Sequence, residues 1–188
     1  MRRSSHRSLG EYLVQSYIST MPRRHIQAFL LGCIQPDMNP GTYIKGSIRC
    51  QWLRGHNYNK SRYLMQRTSK RLEKKMRLNS LDFYTLGKLI HYTADAFTSC
   101  HNSHFPTGLK HHRKYEIQLQ NYFLDFLSHS PPIEAKTAHN IMQIITQYHD
   151  TYTTLPSHIH TDTVHILSVC SSVMAILFPL QTITYVEY

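Results

Sequence analysis

Two pairs of potential metal ligands stand at helical spacing in the chain. His91 and Asp95 are four residues apart, and His112 and Glu116 repeat the same spacing further on. Residues four apart on a helix lie on one face, a turn from each other, so each pair presents an imidazole and a carboxylate to the same point. Together these two groups suit zinc and similar divalent ions. One such pair is usually a surface hydrogen bond, but two pairs with His101 between them favour a metal site.

Carboxylates are scarce in this part of the chain, which makes their positions more informative. Residues 1–116 contain 20 Lys and Arg but only six Asp and Glu. Two of the six, Asp95 and Glu116, complete the histidine pairs. A third, Asp37, follows Pro36, where we expect a helix to end at a proline turn. A carboxylate held on such a corner is suited to act as a ligand or as a base.

These residues belong to a longer pattern that resembles a known family, the bacterial zinc-dependent phospholipases C, which share their fold with the P1-type nucleases. The resemblance runs from His6 to Glu116, and the last third of the chain matches no motif. The motifs in chain order are His6-Arg-Ser-Leu-Gly10, Leu31-Gly-Cys-Ile-Gln-Pro-Asp37, Gly55-His56-Asn57, His91-Tyr-Thr-Ala-Asp95, His101 and His112-Arg-Lys-Tyr-Glu116. The resemblance implies an all-α fold, a single-domain multi-helix bundle of the phospholipase C/P1 nuclease type over residues 1–188.

The resemblance also implies two or three zinc ions (Zn2+) and a ligand set for each of them. The first ion would be bound by Asp37, His56, His91 and Asp95. The second would be bound by His101, His112 and Glu116, with water completing its shell. Asp95 would bridge to a third ion, which His6 would help to hold. The remaining histidines match no motif, and we interpret them as surface or core residues.

The third site is where the sequence departs from the family pattern. In the secreted members this ion is also held by the mature amino terminus, a tryptophan freed by signal cleavage. The present sequence starts with Met1, which is closer to His6 than that tryptophan is to its matching histidine, and the one tryptophan, Trp52, is internal. We therefore expect the third site to differ from that of the secreted relatives.

The reaction implied by the resemblance is hydrolysis of a phosphodiester by water activated at the metal. The leading interpretation is cleavage of phospholipid to diacylglycerol and a phosphorylated headgroup, with Asp37 as the candidate catalytic residue that orients the water. One alternative is a P1-type single-strand nuclease, which would need base-stacking aromatic side chains near the metals. The candidates are Tyr43, Trp52, Tyr58 and Tyr63. Another alternative is a non-catalytic protein that uses the metals to hold its helices together.

The charge distribution favours an anionic partner. The formal net charge is +10, and nine Lys and Arg lie between Arg54 and Arg77 with only Glu73 to oppose them. A basic face of this kind attracts phospholipid or another anionic phosphodiester substrate, and would support peripheral contact with an anionic membrane surface. Under the nuclease alternative it would bind nucleic acid. The same pattern is also typical of a solvated helix face that only aids solubility.

Apolar residues recur at helical spacing throughout the chain, and strand alternation is nearly absent, which predicts about seven helices. We expect a basic helix over Lys60–Arg77 with Met65, Leu72 and Met76 inward. We expect Ser80 to cap a helix from Leu81 to about Ser99. We expect Pro131-Pro132 to open the helix that carries Ile141, Ile144, Ile145 and Tyr148.

Two further features bear on the cellular setting. The four cysteines, Cys33, Cys50, Cys100 and Cys170, show no paired spacing, and we expect buried free thiols. The opening residues are polar with no secretory signal after them, and the longest apolar stretch, Val164–Phe178, is too short and polar to span a bilayer. We therefore expect a cytoplasmic protein and a core helix in this stretch.

Overall fold

Seven α-helices account for nearly all of the described residues in the computed structural model, which are 1–38, 58–101, 109–129, 135–136 and 138–179. Within these ranges there is no β-strand, and the all-α prediction is confirmed. A π-helical turn, Val14–Ile18, follows the first helix, and a 3-10 turn, Ser99–His101, follows the fourth. The helices are α1 (Arg3–Leu13), α2 (Arg23–Met38), α3 (Tyr58–Glu73), α4 (Ser80–Ala96), α5 (Leu109–His129), α6 (Ile141–Tyr152) and α7 (Ile159–Leu177).

Helix α4 is buried along most of its length and packs against α1, α2, α3 and α7. It begins with a capping box, in which the Asn79 side chain accepts from the Asp82 amide at 3.1 Å and Asp82 accepts from the Asn79 amide at 3.0 Å. The residue that caps α4 is therefore Asn79, and the prediction of Ser80 is wrong. Asp82 also binds Lys75 at 2.6 Å and Arg71 at 3.1 Å, which fixes the corner between α3 and α4.

The closest approach in the core is the crossing of α2 and α4 at a pair of glycines. A Cβ on Gly32 would lie 2.2 Å from the Tyr84 carbonyl oxygen, and one on Gly87 would lie 2.1 Å from that of Phe29. Both distances are far inside van der Waals contact, so the two backbones lie closer together than any side chain would allow. The crossing sets the end of α2 beside the second half of α4.

Helix α2 continues through Pro36 to Met38, so the prediction that it ends before Pro36 is wrong. A proline in a helix removes one backbone hydrogen bond and crowds the carbonyl four residues earlier, which here belongs to Gly32. Burial of the Pro36 ring removes apolar surface from water, which offsets part of this cost. Asp37 therefore extends from a helical turn rather than from a loop corner.

Three other predicted boundaries shift in the structure. Helix α3 ends at Glu73, so Met65 and Leu72 are fully buried as expected but Met76 is fully exposed. Helix α4 ends at Ala96, and the following Ser99 belongs to the 3-10 turn. Helix α6 begins at Ile141 with Asn140 as its cap, whereas the prolines expected to open it lie outside the described residues.

Helix α7 is long and apolar enough to cross a membrane by length and composition, but 56% of its apolar window is buried inside the protein. Its buried residues include Asp162, Thr163, Ser171 and Ser172. In the structure α7 packs against α1, α4, α5 and α6, which agrees with the expected core helix.

The glycine crossing leads to the first prediction. Gly87→Ala should lower the free energy of unfolding by about 2 kcal/mol, because overpacking against immobile backbone costs up to about 3 kcal/mol and the better helix propensity of alanine returns about 1 kcal/mol. Gly10→Ala is the matched control, since its Cβ would meet only the Leu30 and Cys33 side chains, at 3.1 and 3.2 Å. Chemical denaturation measures both, and equal stability of the two variants would contradict the proposed backbone contact.

Candidate metal centre

Three buried side chains from two helices form the first group of potential ligands. His6 comes from α1, and His91 and Asp95 come from successive turns of α4. The Asp95 carboxylate lies between the imidazoles, 3.1 Å from His6 Nε2 and 3.3 Å from His91 Nε2. The two rings stack with their centroids 3.8 Å apart. All three side chains are at most 1% exposed, so this group is sheltered from bulk water.

The orientation of His91 is set by the glycine crossing. Its Nδ1 donates to the backbone carbonyl of Cys33 on α2, at 2.9 Å, which leaves Nε2 as the lone-pair nitrogen. Nε2 faces Asp95 and also lies 3.7 Å from Asp37 Oδ1. The other Asp37 oxygen, Oδ2, is buried and has no hydrogen-bond partner among the residues that the structure describes. Asp37 thus joins the edge of the first group from the last turn of α2.

A second group of potential ligands forms where the 3-10 turn meets α5. His112 Nδ1 lies 3.6 Å from Glu116 Oε2, and His101 Nε2 lies 3.8 Å from Glu116 Oε1. The Cys100 thiol, which precedes His101 in the turn, belongs to the same group, with one donor atom of each of the four residues within 4.8 Å of the others. This group is less buried than the first, and His112 is about one-third exposed.

Asp95 connects the two groups. Its Oδ1 lies 4.0 Å from His101 Nε2, and the backbone nitrogen of Met1 lies 2.7 Å from the same oxygen and 3.0 Å from His101 Nε2. Burial disfavours the charged amine, but Asp95 together with Cys100 and Glu116 favours it, and its pKa is raised to about 11. The structure therefore places a cationic group against the shared carboxylate.

Electrostatics favour the metal-binding protonation states of two histidines and two carboxylates in these groups. Burial and the neighbouring His91 lower the pKa of His6 to about 3, and burial lowers that of His112. Burial alone would raise the pKa of both carboxyls, but the surrounding cations and imidazoles hold that of Asp95 well below its usual range. A hydrogen bond from His101 and the positive charges near Glu116 lower the pKa of Glu116 to about 2. At neutral pH these groups are neutral imidazoles and ionised carboxylates, as metal ligands must be.

The residues present fit a zinc centre on two further observations. Ligand atoms around a tetrahedral zinc lie about 3.3–3.6 Å apart, since zinc–nitrogen and zinc–oxygen distances are about 2.0–2.2 Å. The closest donor pairs around the two groups are 3.1 to 3.8 Å apart, near that spacing. In addition, ring nitrogens of His6 and His101 and one oxygen of Asp37 are buried, and none of the described residues hydrogen-bonds to them. Buried polar atoms are rarely left unsatisfied unless a ligand or ion completes them.

The structure brings together seven of the eight residues that the sequence assigned to metal: His6, Asp37, His91, Asp95, His101, His112 and Glu116. The eighth, His56, lies outside the described residues. His6 lies 3.1 Å from Asp95, the residue that the resemblance makes the bridge to the ion held by His6, and its ring also stacks on His91. Of the aromatic residues considered for base stacking, Tyr58 is buried and stacks on His149, whereas Tyr63 is exposed. Tyr43 and Trp52 lie outside the described residues.

Sequence reasoning missed a buried carboxylate that supports the second group. Asp162, in the part of the chain without motifs, accepts hydrogen bonds from Ser99 N (2.6 Å), Ser99 Oγ (2.7 Å), Tyr152 Oη (2.7 Å) and Tyr115 Oη (2.9 Å). Ser99 is in the turn that carries His101, and Tyr115 is the residue before Glu116. Asp162 thus ties both ligand-bearing segments to α7. No local spacing in the sequence points to this role.

Comparison with protein families gives a match to the zinc-dependent phospholipase C family over residues 5–164. The chain therefore belongs to this family, and the zinc dependence and phospholipase character of the family apply to it as a class. No curated protein and no solved structure matches the chain.

The second prediction compares two neighbouring histidines on α5. His112→Ala should reduce the zinc content of the purified protein by about one ion per chain and lower its melting temperature, because bound metal stabilises the fold that holds it. His111→Ala is the control, since His111 is exposed on the same turn and belongs to neither ligand group. Elemental analysis and thermal melts of both variants make the comparison. Equal zinc content in the two variants would remove His112 from the site.

Proposed function

We propose that the protein is a zinc-dependent phosphodiester hydrolase that cleaves phospholipid in the manner of a phospholipase C, releasing diacylglycerol and a phosphorylated headgroup. The observation that carries the proposal is the pair of ligand groups that share Asp95, within a chain that belongs to the zinc-dependent phospholipase C family. Adjacent divalent ions a few ångströms apart are typical of enzymes that hydrolyse phosphate esters.

The ligand groups support two or three zinc ions. His6, His91 and Asp95 with Asp37, and His56 from the sequence pattern, would hold the ions on the α4 side. His101, His112 and Glu116 would hold the ion on the α5 side. Zinc, when bound, lowers the pKa of a coordinated water and draws charge from the phosphoryl oxygens.

The roles of the protein side chains follow from where they lie. Asp95 contacts donor atoms of both groups, so its carboxylate would fix the separation of the ions. The hydrogen bond from His91 Nδ1 to the Cys33 carbonyl keeps Nε2 directed into the site. About one-seventh of the Asp37 side chain is exposed, and none of the described residues hydrogen-bonds to its Oδ2. Asp37 therefore lies at the boundary between the buried ligands and solvent. That is where a group must lie to bind metal with one oxygen and orient an incoming water with the other.

We further propose that the protein contacts an anionic membrane surface through the basic helix α3. Lys70 and Lys74 are exposed, and none of the described residues forms a salt bridge with them. Tyr63, which is 75% exposed, and Met76, just after the helix, add apolar surface nearby. Arg71 and Lys75, which lie in the same segment, bind the buried Asp82 and stabilise the fold instead.

The third prediction tests catalysis at Asp37. Asp37→Asn keeps the shape of the side chain but removes its charge, so the protein should fold and retain zinc at His101, His112 and Glu116. Its phosphodiesterase activity should fall by about two or more orders of magnitude, the usual scale for loss of an acid–base or electrostatic group. The assay uses a chromogenic phosphodiester and phosphatidylcholine, with single-stranded nucleic acid as the comparison substrate, at matched zinc content.

Three outcomes of that assay separate the alternatives. An active Asp37→Asn variant would remove Asp37 from the site and leave the enzyme assignment standing. Wild-type protein that prefers single-stranded nucleic acid would support the P1-type nuclease instead. Fully metallated wild-type protein that hydrolyses none of the three substrates would contradict the proposed function and favour a metal-stabilised protein without catalysis.

The fourth prediction concerns the membrane-facing charges. Each lysine near an anionic surface contributes about 1 kcal/mol, so Lys70→Glu with Lys74→Glu should weaken binding to phosphatidylserine-containing vesicles by about tenfold or more. The effect should shrink in high salt, where charges are screened. Lys110→Glu with Lys114→Glu on α5 is the control, since it changes the net charge by the same amount. Equal losses in the two double variants would contradict docking through α3 and indicate a general charge effect.

A further inference from the structure

Cys100 differs from the other described cysteines in its surroundings. Cys33 and Cys170 belong to the contiguous hydrophobic core. Cys100 is not part of that core cluster. It is largely buried, at 9% exposure, and the charged groups that act on it are the Met1 amine, Glu116, Asp95 and Asp162. A thiol that served only to fill space would not be expected in so polar an environment.

The Cys100 thiol lies among the donor atoms of the second group. Its Sγ and the donor atoms of His101, His112 and Glu116 all lie within 4.8 Å of one another. Zinc–sulfur distances are about 2.3 Å, so sulfur and nitrogen atoms on one tetrahedral zinc lie roughly 3.6 Å apart. The four donor atoms would therefore move closer together when they bind one ion.

His101 and Glu116 already hold a cationic group in this part of the site. The His101 side chain is 8% exposed, and its Nε2 lies 3.8 Å from Glu116 Oε1 and 3.0 Å from the Met1 amine. The amine also lies 3.6 Å from Glu116 Oε1 and 2.7 Å from Asp95 Oδ1. The donor atoms beside Cys100 are therefore arranged around a positive charge, as they would be around a metal ion.

We propose that Cys100 is the fourth protein ligand of the metal ion held by His101, His112 and Glu116, in the place that the resemblance gave to water. The proposal rests on the proposed zinc-binding function and deepens it. When the ion binds, the thiol releases its proton to solvent and the resulting thiolate donates an electron pair to the metal.

A fourth protein ligand is typical of structural zinc sites, whereas catalytic sites keep one position open for water. The ion at Cys100 would therefore hold the 3-10 turn against α5.

Cobalt substitution of the full-length protein tests the proposal directly, because a thiolate bound to cobalt produces a sulfur-to-metal charge-transfer band in the near ultraviolet. We expect that band in the wild type and in Cys170→Ala, whose thiol lies in the core. Cys100→Ala should lose the band while keeping the visible bands of the remaining cobalt. Its zinc affinity at this site should fall by more than about 100-fold, because loss of a supporting group alone costs about 10–100-fold.

X-ray absorption of the zinc-loaded wild type provides a readout that does not depend on the folding of any variant. A sulfur shell at about 2.3 Å from zinc would support the proposal. Zinc bound with only nitrogen and oxygen neighbours, or a charge-transfer band that persists in Cys100→Ala, would overturn it and leave the proposed hydrolase function intact. Failure to bind either metal would overturn both.

Discussion

The contact on which the site most depends is the backbone crossing of α2 and α4 at Gly32 and Gly87. A Cβ at either glycine would lie only 2.1–2.2 Å from a carbonyl oxygen of the other helix, so this spacing exists because both residues lack one. It brings the Cys33 carbonyl within 2.9 Å of His91 Nδ1 and Asp37 within 3.7 Å of His91 Nε2. Helix α2 carries the Cys33 carbonyl and Asp37, and α4 carries His91. The distances between these groups therefore depend on how closely the two backbones approach.

The second group of ligands depends on a different support, the buried carboxylate of Asp162. Four hydrogen bonds from Ser99, Tyr115 and Tyr152 converge on it. Burial raises the pKa of this carboxyl, and the hydrogen bonds oppose that effect, which explains why an acid is tolerated inside α7. The C-terminal third contributes none of the motif residues, yet it supplies the anchor that holds the His101 turn beside α5. Asp162 therefore positions the second group, as the glycine crossing positions the first.

Features that depend on residues close together in the sequence could be predicted, whereas features that depend on packing between distant segments could not. The spacings from His91 to Asp95 and from His112 to Glu116 are local, and a helix converts them directly into ligand pairs, so they could be predicted. The extension of α2 through Pro36 could not, because it depends on burial of that proline against the rest of the core. Asp162 and Cys100 were missed for the same reason: they acquire their neighbours through packing between segments distant in sequence.

The electrostatics connect these two supports to the chemistry. The chain is strongly basic, yet both ligand groups are built around carboxylates, and Asp95 lies within 4.0 Å of donor atoms from each. Nearby imidazoles and the Met1 amine hold its pKa well below the usual range, so the shared oxygens stay ionised although they are buried. A buried carboxylate that stays charged needs cationic partners to offset its desolvation, and metal ions supply more charge than any side chain. Two ligand groups arranged around this shared acid would meet that need, and the partly exposed Asp37 lies on the side that faces solvent.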